Sequence, residues 1–216
     1  MRPIVKSSRE CNCRSIVHLR VHRFLAQTRV EGPGVRACIW VQGCSIRCAG
    51  CAVPMMWPKE GGYTADVAEL AQRILAGPQV EGVTFVGGEP FEQAAELANL
   101  GRTLRDAGLS IATFTGHTIE ELRTDPSEGR AELLAVTDLL IDGPYRRDLA
   151  DLSRPWVGSA NQRYHFLTER YRHLQSVLDS IPNRLEFRLQ PSGAIMVNGM
   201  GDFQAARALL TATCGR

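Results

Sequence analysis

Apolar and polar residues alternate along this chain in two distinct rhythms. Residues 16–28 mix apolar and basic positions with partial alternation, which predicts a strand opening a sheet. Gly32-Pro33-Gly34 is a turn, and residues 35–43 (VRACIWVQG) form a nearly unbroken apolar run, the pattern of a strand buried on both faces. The rhythm then becomes helical: Val67, Leu70, Ala71, Ile74 and Leu75 fall on one face of a helix over 65–76, with Thr64 as its cap and Gly77-Pro78 as its stop. A strand over 80–86, a helix over 91–107 ending at Gly108, a strand over 109–115, short helical pieces over 118–135 and a strand over 138–142 follow. Near the end, 185–189 and 194–198 flank Pro191-Ser192-Gly193 as a hairpin, and a helix covers 202–213. Strands alternating with helices predict parallel βαβ units, hence an α/β sheet or a partial (β/α) barrel with a C-terminal hairpin and helix. Residues 1–15 read as an extension and residues 16–216 as a single domain.

Composition narrows the class. With 25 Lys and Arg against 23 Asp and Glu, and no basic block, nothing points to nucleic acid. No apolar run reaches the roughly 18–20 residues of a membrane span, and the polar N-terminus has no secretory h-region. A cytoplasmic protein is expected, and in that reducing setting clustered cysteines more often bind metal than form disulfides.

The cysteines are clustered. Three of the seven, Cys44, Cys48 and Cys51, lie within eight positions as C-x3-C-x2-C. A structural zinc site wants four ligands, usually as two separated pairs, and a Cys48/Cys51 redox pair leaves Cys44 without a role. Three thiolates on an iron–sulfur cubane leave one iron open to a substrate or cofactor, and the spacing favours this over zinc or a dithiol. Cys11 and Cys13 are candidates for a second metal or for reduction, with fortuitous surface thiols an equal reading; Cys38 reads as a buried strand residue. The cysteine loop, Gly87-Gly88-Glu89-Pro90, Thr115-Gly116-His117 and Asp142-Gly143-Pro144 each follow a predicted strand, where α/β folds place their chemistry.

Taken together, C-x3-C-x2-C and Gly87-Gly88-Glu89-Pro90 resemble the two signature motifs of the radical S-adenosylmethionine (SAM) enzymes. Further stretches, 32-GPGVR-36, 48-CAGC-51 with Trp57, 138-DLLIDGPY-145 and 156-WVGSANQR-163, are similar to the small activating enzymes that install a glycyl radical in a partner protein. The resemblance implies an incomplete (β/α) barrel, a [4Fe–4S] cluster on Cys44, Cys48 and Cys51, and SAM chelated at the open iron. It implies that Gly87, Gly88, Glu89 and Pro90 seat the methionine moiety, with Glu89 facing its ammonium group. It also implies reductive cleavage to a 5′-deoxyadenosyl radical, a glycyl-radical enzyme or another peptide as partner, and an electron donor of the flavodoxin or ferredoxin type. Thr115, Asp142, Ser159 and Asn161 are further candidates for the cofactor, each weighed against a structural part in its loop; Asn161 and Arg163 are also expected near a docked partner. Trp57 and Met55-Met56 cover the cluster or belong to the core. Alternatives left open are a different peptide or small-molecule substrate, and a non-enzymatic iron–sulfur or zinc redox module. Two departures stand out: Val53 occupies a position where the family often has Asn, and the chain continues well past residue 163.

Overall fold

The computed structural model describes residues 17–214, with side chains through residue 208. The expected extension over residues 1–15, with Cys11 and Cys13, lies outside the described residues.

One mixed sheet of seven strands organises the molecule. Its parallel centre consists of β2 (Arg36–Val41), β4 (Gly82–Gly87), β5 (Ser110–Phe114) and β6 (Leu139–Asp142), adjacent in that order. All of β2, β5 and β6 is buried, as strands covered on both faces must be. Antiparallel strands flank this centre: β1 (His18–Thr28) pairs with β2, β3 (Tyr63–Asp66) with β1, and β7 (Arg163–Phe166) with β6. The sheet is not closed, because β3 and β7 form its two edges.

Between the parallel strands run helices. In α1 (Val67–Leu75), Val67, Leu70, Ala71 and Ile74 face the core, and the Asp66 carboxylate accepts the Glu69 N–H at 2.8 Å. The cap is therefore Asp66 and not Thr64, which lies in β3: the chain stays extended for four residues to extend the sheet before it turns. The helix expected over 91–107 begins with a 3₁₀ turn, Pro90–Gln93, and continues as α2 (Ala94–Asp106). The short helices α3 (Ile119–Thr124) and α4 (Glu128–Val136) precede β6. These helices bury one face of the sheet in the main core, with Ile39, Val83, Phe85, Leu97, Leu100, Leu104 and Ile111 all fully enclosed. The opposite face is covered by a loop and a 3₁₀ helix (Glu169–Ser176): Trp156, Val157 and Tyr171 pack on Ala112, Phe114, Leu139 and Ile141.

The C-terminal expectation is met by β8 (Leu185–Leu189) paired antiparallel with β9 (Ile195–Gly199), followed by α5 (Phe203–Cys214). This hairpin is fastened to the end of β1, where Thr28 Oγ1 donates to Glu186 at 2.6 Å. The Gly199 N–H and Asn198 Nδ2 donate to buried Glu31 at 2.7 and 3.2 Å. Among the described residues no helix is long and apolar enough to cross a membrane.

Candidate metal and cofactor site

The C-terminal ends of the four parallel strands carry the four loops singled out above. The cysteine loop follows β2, Gly88-Glu89-Pro90 follows β4, Thr115-Gly116-His117 follows β5, and Gly143-Pro144-Tyr145 follows β6.

Main-chain bonds fix the cysteine loop from several sides. Gly43 and Cys44 donate to the carbonyls of Met56 and Trp57 at 2.8 and 3.0 Å, closing the loop on itself. Gly88 and Glu89 donate to the carbonyls of Val41 and Gly43 at 2.9 and 2.8 Å, which ties the loop after β4 to the entrance of the cysteine loop. A side chain at Gly88 is excluded, since its Cβ would stand 2.1 Å from the Gly43 oxygen. Gly87 and Gly88 are the glycines that the resemblance assigns to seating the methionine moiety. The structure also gives them a packing reason, as a Cβ on Gly87 would meet the Trp40 backbone at 2.7 Å.

All four described thiols near or in the sheet, Cys38, Cys44, Cys48 and Cys51, are free of disulfides. Cys38 is fully buried in β2, as expected. Val53 N–H donates to the Cys51 sulfur at 3.4 Å, and the main-chain amides of Arg47 and Ile46 lie near Cys44 and that of Tyr145 near Cys48. Burial pushes the Cys44 and Cys48 thiols up, and these donors partly offset it. Such donors favour a sulfur carrying negative charge, so the set is suited to thiolates bound by a cation that displaces the proton. Among the described residues no three His, Cys, Asp or Glu side chains converge on one point that would hold a single ion. A four-iron cubane asks for no such convergence, because each thiolate binds a different iron. The donor set fits the cluster. Val53, the departure from the family pattern, contributes through its backbone and leaves the contact to Cys51 intact. Beneath the loop, Met56 and Trp40 are buried with Cys38, and Val53 and Val86 pack on them, an apolar floor that limits water access. Of the residues expected to cover a cluster, Met56 is core, Met55 is 56% exposed and Trp57 is intermediate.

Glu89 is 1% exposed and held entirely by protein donors: Phe91 N and Thr115 Oγ1 to Oε1, and Gly116 N to Oε2, each at 2.9 Å. Burial raises its carboxyl above the usual range, and the Gly116 and Phe91 amides, the nearby His117 and the Thr115 hydroxyl oppose that shift. His117 Nε2 is buried there with no hydrogen-bond partner.

The remaining candidates serve as braces. Thr115 connects Glu89 to the His117 N–H, 3.1 Å from its hydroxyl. Asp142, with no exposure, accepts from Ile119 N at 2.7 Å and Arg163 NH2 at 2.6 Å, and lies 2.9 Å from His165 Nε2. Ser159 is buried and its hydroxyl accepts Arg146 N at 3.2 Å; Asn161 Nδ2 donates to Pro144 O at 2.8 Å. Gln162 closes the same turn, accepting Gly158 N at 2.8 Å and donating to Gly143 O at 3.3 Å. The polar motif thus underpins the loop after β6, and Arg163 is held by Asp142 and Glu120. Contacts that the sequence did not signal include Glu92, which accepts Ser45 N at 2.5 Å, and Ile46, which packs where a Gly116 side chain would be.

A family described as "4Fe-4S single cluster domain" matches residues 30–165. The anaerobic ribonucleoside-triphosphate reductase-activating protein of Vibrio cholerae is 30% identical over 158 residues, covering 69% of this chain and 99% of that protein. The pyruvate formate-lyase-activating enzyme of Clostridium pasteurianum is 33% identical over 101 residues, 44% of this chain and 42% of that one. Among solved structures, QueE from Escherichia coli is similar with a TM-score of 0.39 and 22% identity, over 47% of this chain and 54% of QueE. By the match across residues 30–165 and the Vibrio relative, the chain belongs to the 4Fe–4S single-cluster family, among the glycyl-radical activating members of the radical SAM enzymes.

Proposed function

We propose that Cys44, Cys48 and Cys51 hold a [4Fe–4S] cluster whose fourth iron is open to SAM, and that the enzyme installs a glycyl radical on a partner enzyme. The observation that carries this reading is that the loop bearing the three thiols is closed on itself by main-chain bonds and fastened to the loop after β4 by the Gly88 and Glu89 amides, with Val53 N–H on the Cys51 sulfur. When bound and reduced by one electron, the cluster with SAM supplies homolysis of SAM to methionine and a 5′-deoxyadenosyl radical.

The chain's own residues bind, orient and exclude water. Glu89 Oε2 takes one protein donor and keeps acceptor capacity for an ammonium group, and such a cation would offset the cost of burying this carboxylate. His117 Nε2, buried and unpartnered, is a second polar group available to the ligand. Gly87 and Pro90 set the path of the loop, and Thr115, Asp142, Ser159 and Asn161 hold the surrounding loops in register. Met56, Val53 and Val86 keep the floor dry.

An open sheet with free edges at β3 and β7 is consistent with a partial barrel that leaves a side accessible to a partner's peptide. The partner class follows the relatives' names, and the electron is expected from a flavodoxin- or ferredoxin-type carrier. Residues from 16 onward are read as one domain because the hairpin is bonded to the end of β1. A cytoplasmic site suits a loop of free thiols.

The test is to incubate the reduced, cluster-loaded enzyme and SAM with the host's glycyl-radical enzyme. Formation of 5′-deoxyadenosine together with a glycine-centred doublet in electron paramagnetic resonance is expected. SAM turnover with no doublet on any such partner would move the target to another peptide or a small molecule, and no turnover would remove the radical SAM reading.

A further inference from the structure

The segment after β6 touches the cysteine loop at two places. The Tyr145 amide lies near the Cys48 sulfur. Two residues later, the Arg147 side chain lies over Gly50, between Cys48 and Cys51: a Cβ on Gly50 would stand 2.6 Å from Arg147 Nε and 2.8 Å from its NH2. Gly50, at φ +85°, is the residue that makes room for the guanidinium.

The charge of Arg147 is uncompensated. Its neighbour Arg146 is paired with Asp148 at 2.6 Å, whereas the Arg147 guanidinium has no hydrogen-bond or ion-pair partner among the described residues. An exposed arginine ordinarily turns to solvent or to a carboxylate. Here one is laid along the loop that carries the three thiols, on a segment braced from below by Ser159, Asn161 and Gln162.

We infer that Arg147 is a positioning residue that sets the reduction potential of the cluster, its fixed positive charge favouring the reduced state. This rests on the proposal that Cys44, Cys48 and Cys51 hold that cluster. Reduction adds one electron from a low-potential one-electron reductant, makes and breaks no bond, and leaves the site one unit more negative. A cation held beside the loop stabilises the more negative state and raises the potential. The polar motif 156-WVGSANQR-163 then acts at a distance from the cluster, by holding the loop that presents Arg147.

The experiment is a redox titration of the reconstituted protein with dithionite and low-potential mediators, followed by the cluster's electron paramagnetic resonance signal, for the wild type and a charge series at one position. Arg147→Lys should keep the wild-type potential. Arg147→Gln should lower the reduced-to-oxidised ratio at a given potential about threefold to tenfold, where tenfold is about 59 mV for one electron. Arg147→Glu should go about twice as far, and the separation between variants should shrink as salt is raised. Equal potentials across the series, or equal shifts for Lys and Gln, would overturn the inference; if the Glu variant takes up no iron, the Lys and Gln comparison decides. A wild-type protein that holds no four-iron cluster would instead remove the reading on which this rests.

Discussion

The two ends of the parallel sheet are built from different kinds of bond. At the end where β2, β4 and β5 begin, buried side chains bond chiefly to one another and to nearby carbonyls. Arg36, with no exposure, donates to Thr84 at 2.8 Å, Tyr171 at 2.7 Å, Ser110 at 3.0 Å and the carbonyls of Pro33, Val83 and Ser110, and no carboxylate among the described residues is bonded to it. At the opposite end the backbone does the fastening, and the side chains it presents are three half-buried sulfurs, of which Cys51 accepts the Val53 N–H. A buried polar group with all its partners in the protein stabilises one conformation, while one left with spare capacity awaits a ligand. The division matches the general assignment of stability to one face of such sheets and chemistry to the other.

Variants at the two ends sharpen or break this contrast. Arg36→Ala should have the largest effect on folding, about 4 kcal/mol, since it opens a cavity and orphans the Ser110 and Tyr171 network. Chemical denaturation measures the loss, and the folded fraction should still take up iron; iron uptake that falls while the protein is folded would blur the two ends. Gly88→Ala comes next, at about 2 to 3 kcal/mol, because its methyl would meet the Gly43 oxygen and force backbone to shift. Here iron uptake should fall with stability, and an unaffected iron content would show that the loops after β2 and β4 are not coupled.

Glu31 offers a smaller, pH-dependent test at the stable end. Burial holds its carboxyl above the ordinary range, so the folded protein keeps that proton to higher pH than the unfolded chain. Stability attributable to this group therefore declines as pH rises through the window between the two values. Gln at this position accepts the same Asn198 and Gly199 donors without ionising, so Glu31→Gln should gain stability over the wild type as pH rises to neutral and show no gain at acid pH. A pH-independent difference would contradict it. The smallest effect is expected at exposed Glu120, whose carboxyl is lowered to about 2, first by its hydrogen bonds from Arg163. The contribution of this pair is present above the ordinary glutamate range and is lost as pH falls through about 2. The slight difference in Tm between wild type and Glu120→Gln at neutral pH should therefore fade on acidification, and a difference that persists at pH 2 would count against the pair.

Much of the chemical end was legible because it depends on order along the chain. Apolar runs marked β2, β4, β5 and β6, and each candidate loop stands directly after one of them. The edges were not legible. Tyr63-Thr64-Ala65-Asp66 looks like the approach to a helix, and Arg163-Tyr164-His165-Phe166 merges with a polar motif; both become strands only because β1 and β6 offer them edges. The partners of Asp142, Ser159 and Asn161 were hidden for the same reason, since Ile119, Arg146 and Pro144 meet them only through the fold. Charge logic singled out Glu89, yet its three protein donors come from two separate loops, which no local pattern announces.

The central claim is that three thiols, and no others described here, hold a four-iron cluster. Anaerobic reconstitution followed by iron and sulfide analysis tests it most directly. The wild type and Cys38→Ala should bind about four iron and four sulfide per chain, and Ala at Cys44, Cys48 or Cys51 should abolish that content. Zinc in the purified wild type with no iron uptake, or a full cluster in any one of the three loop variants, would contradict the account.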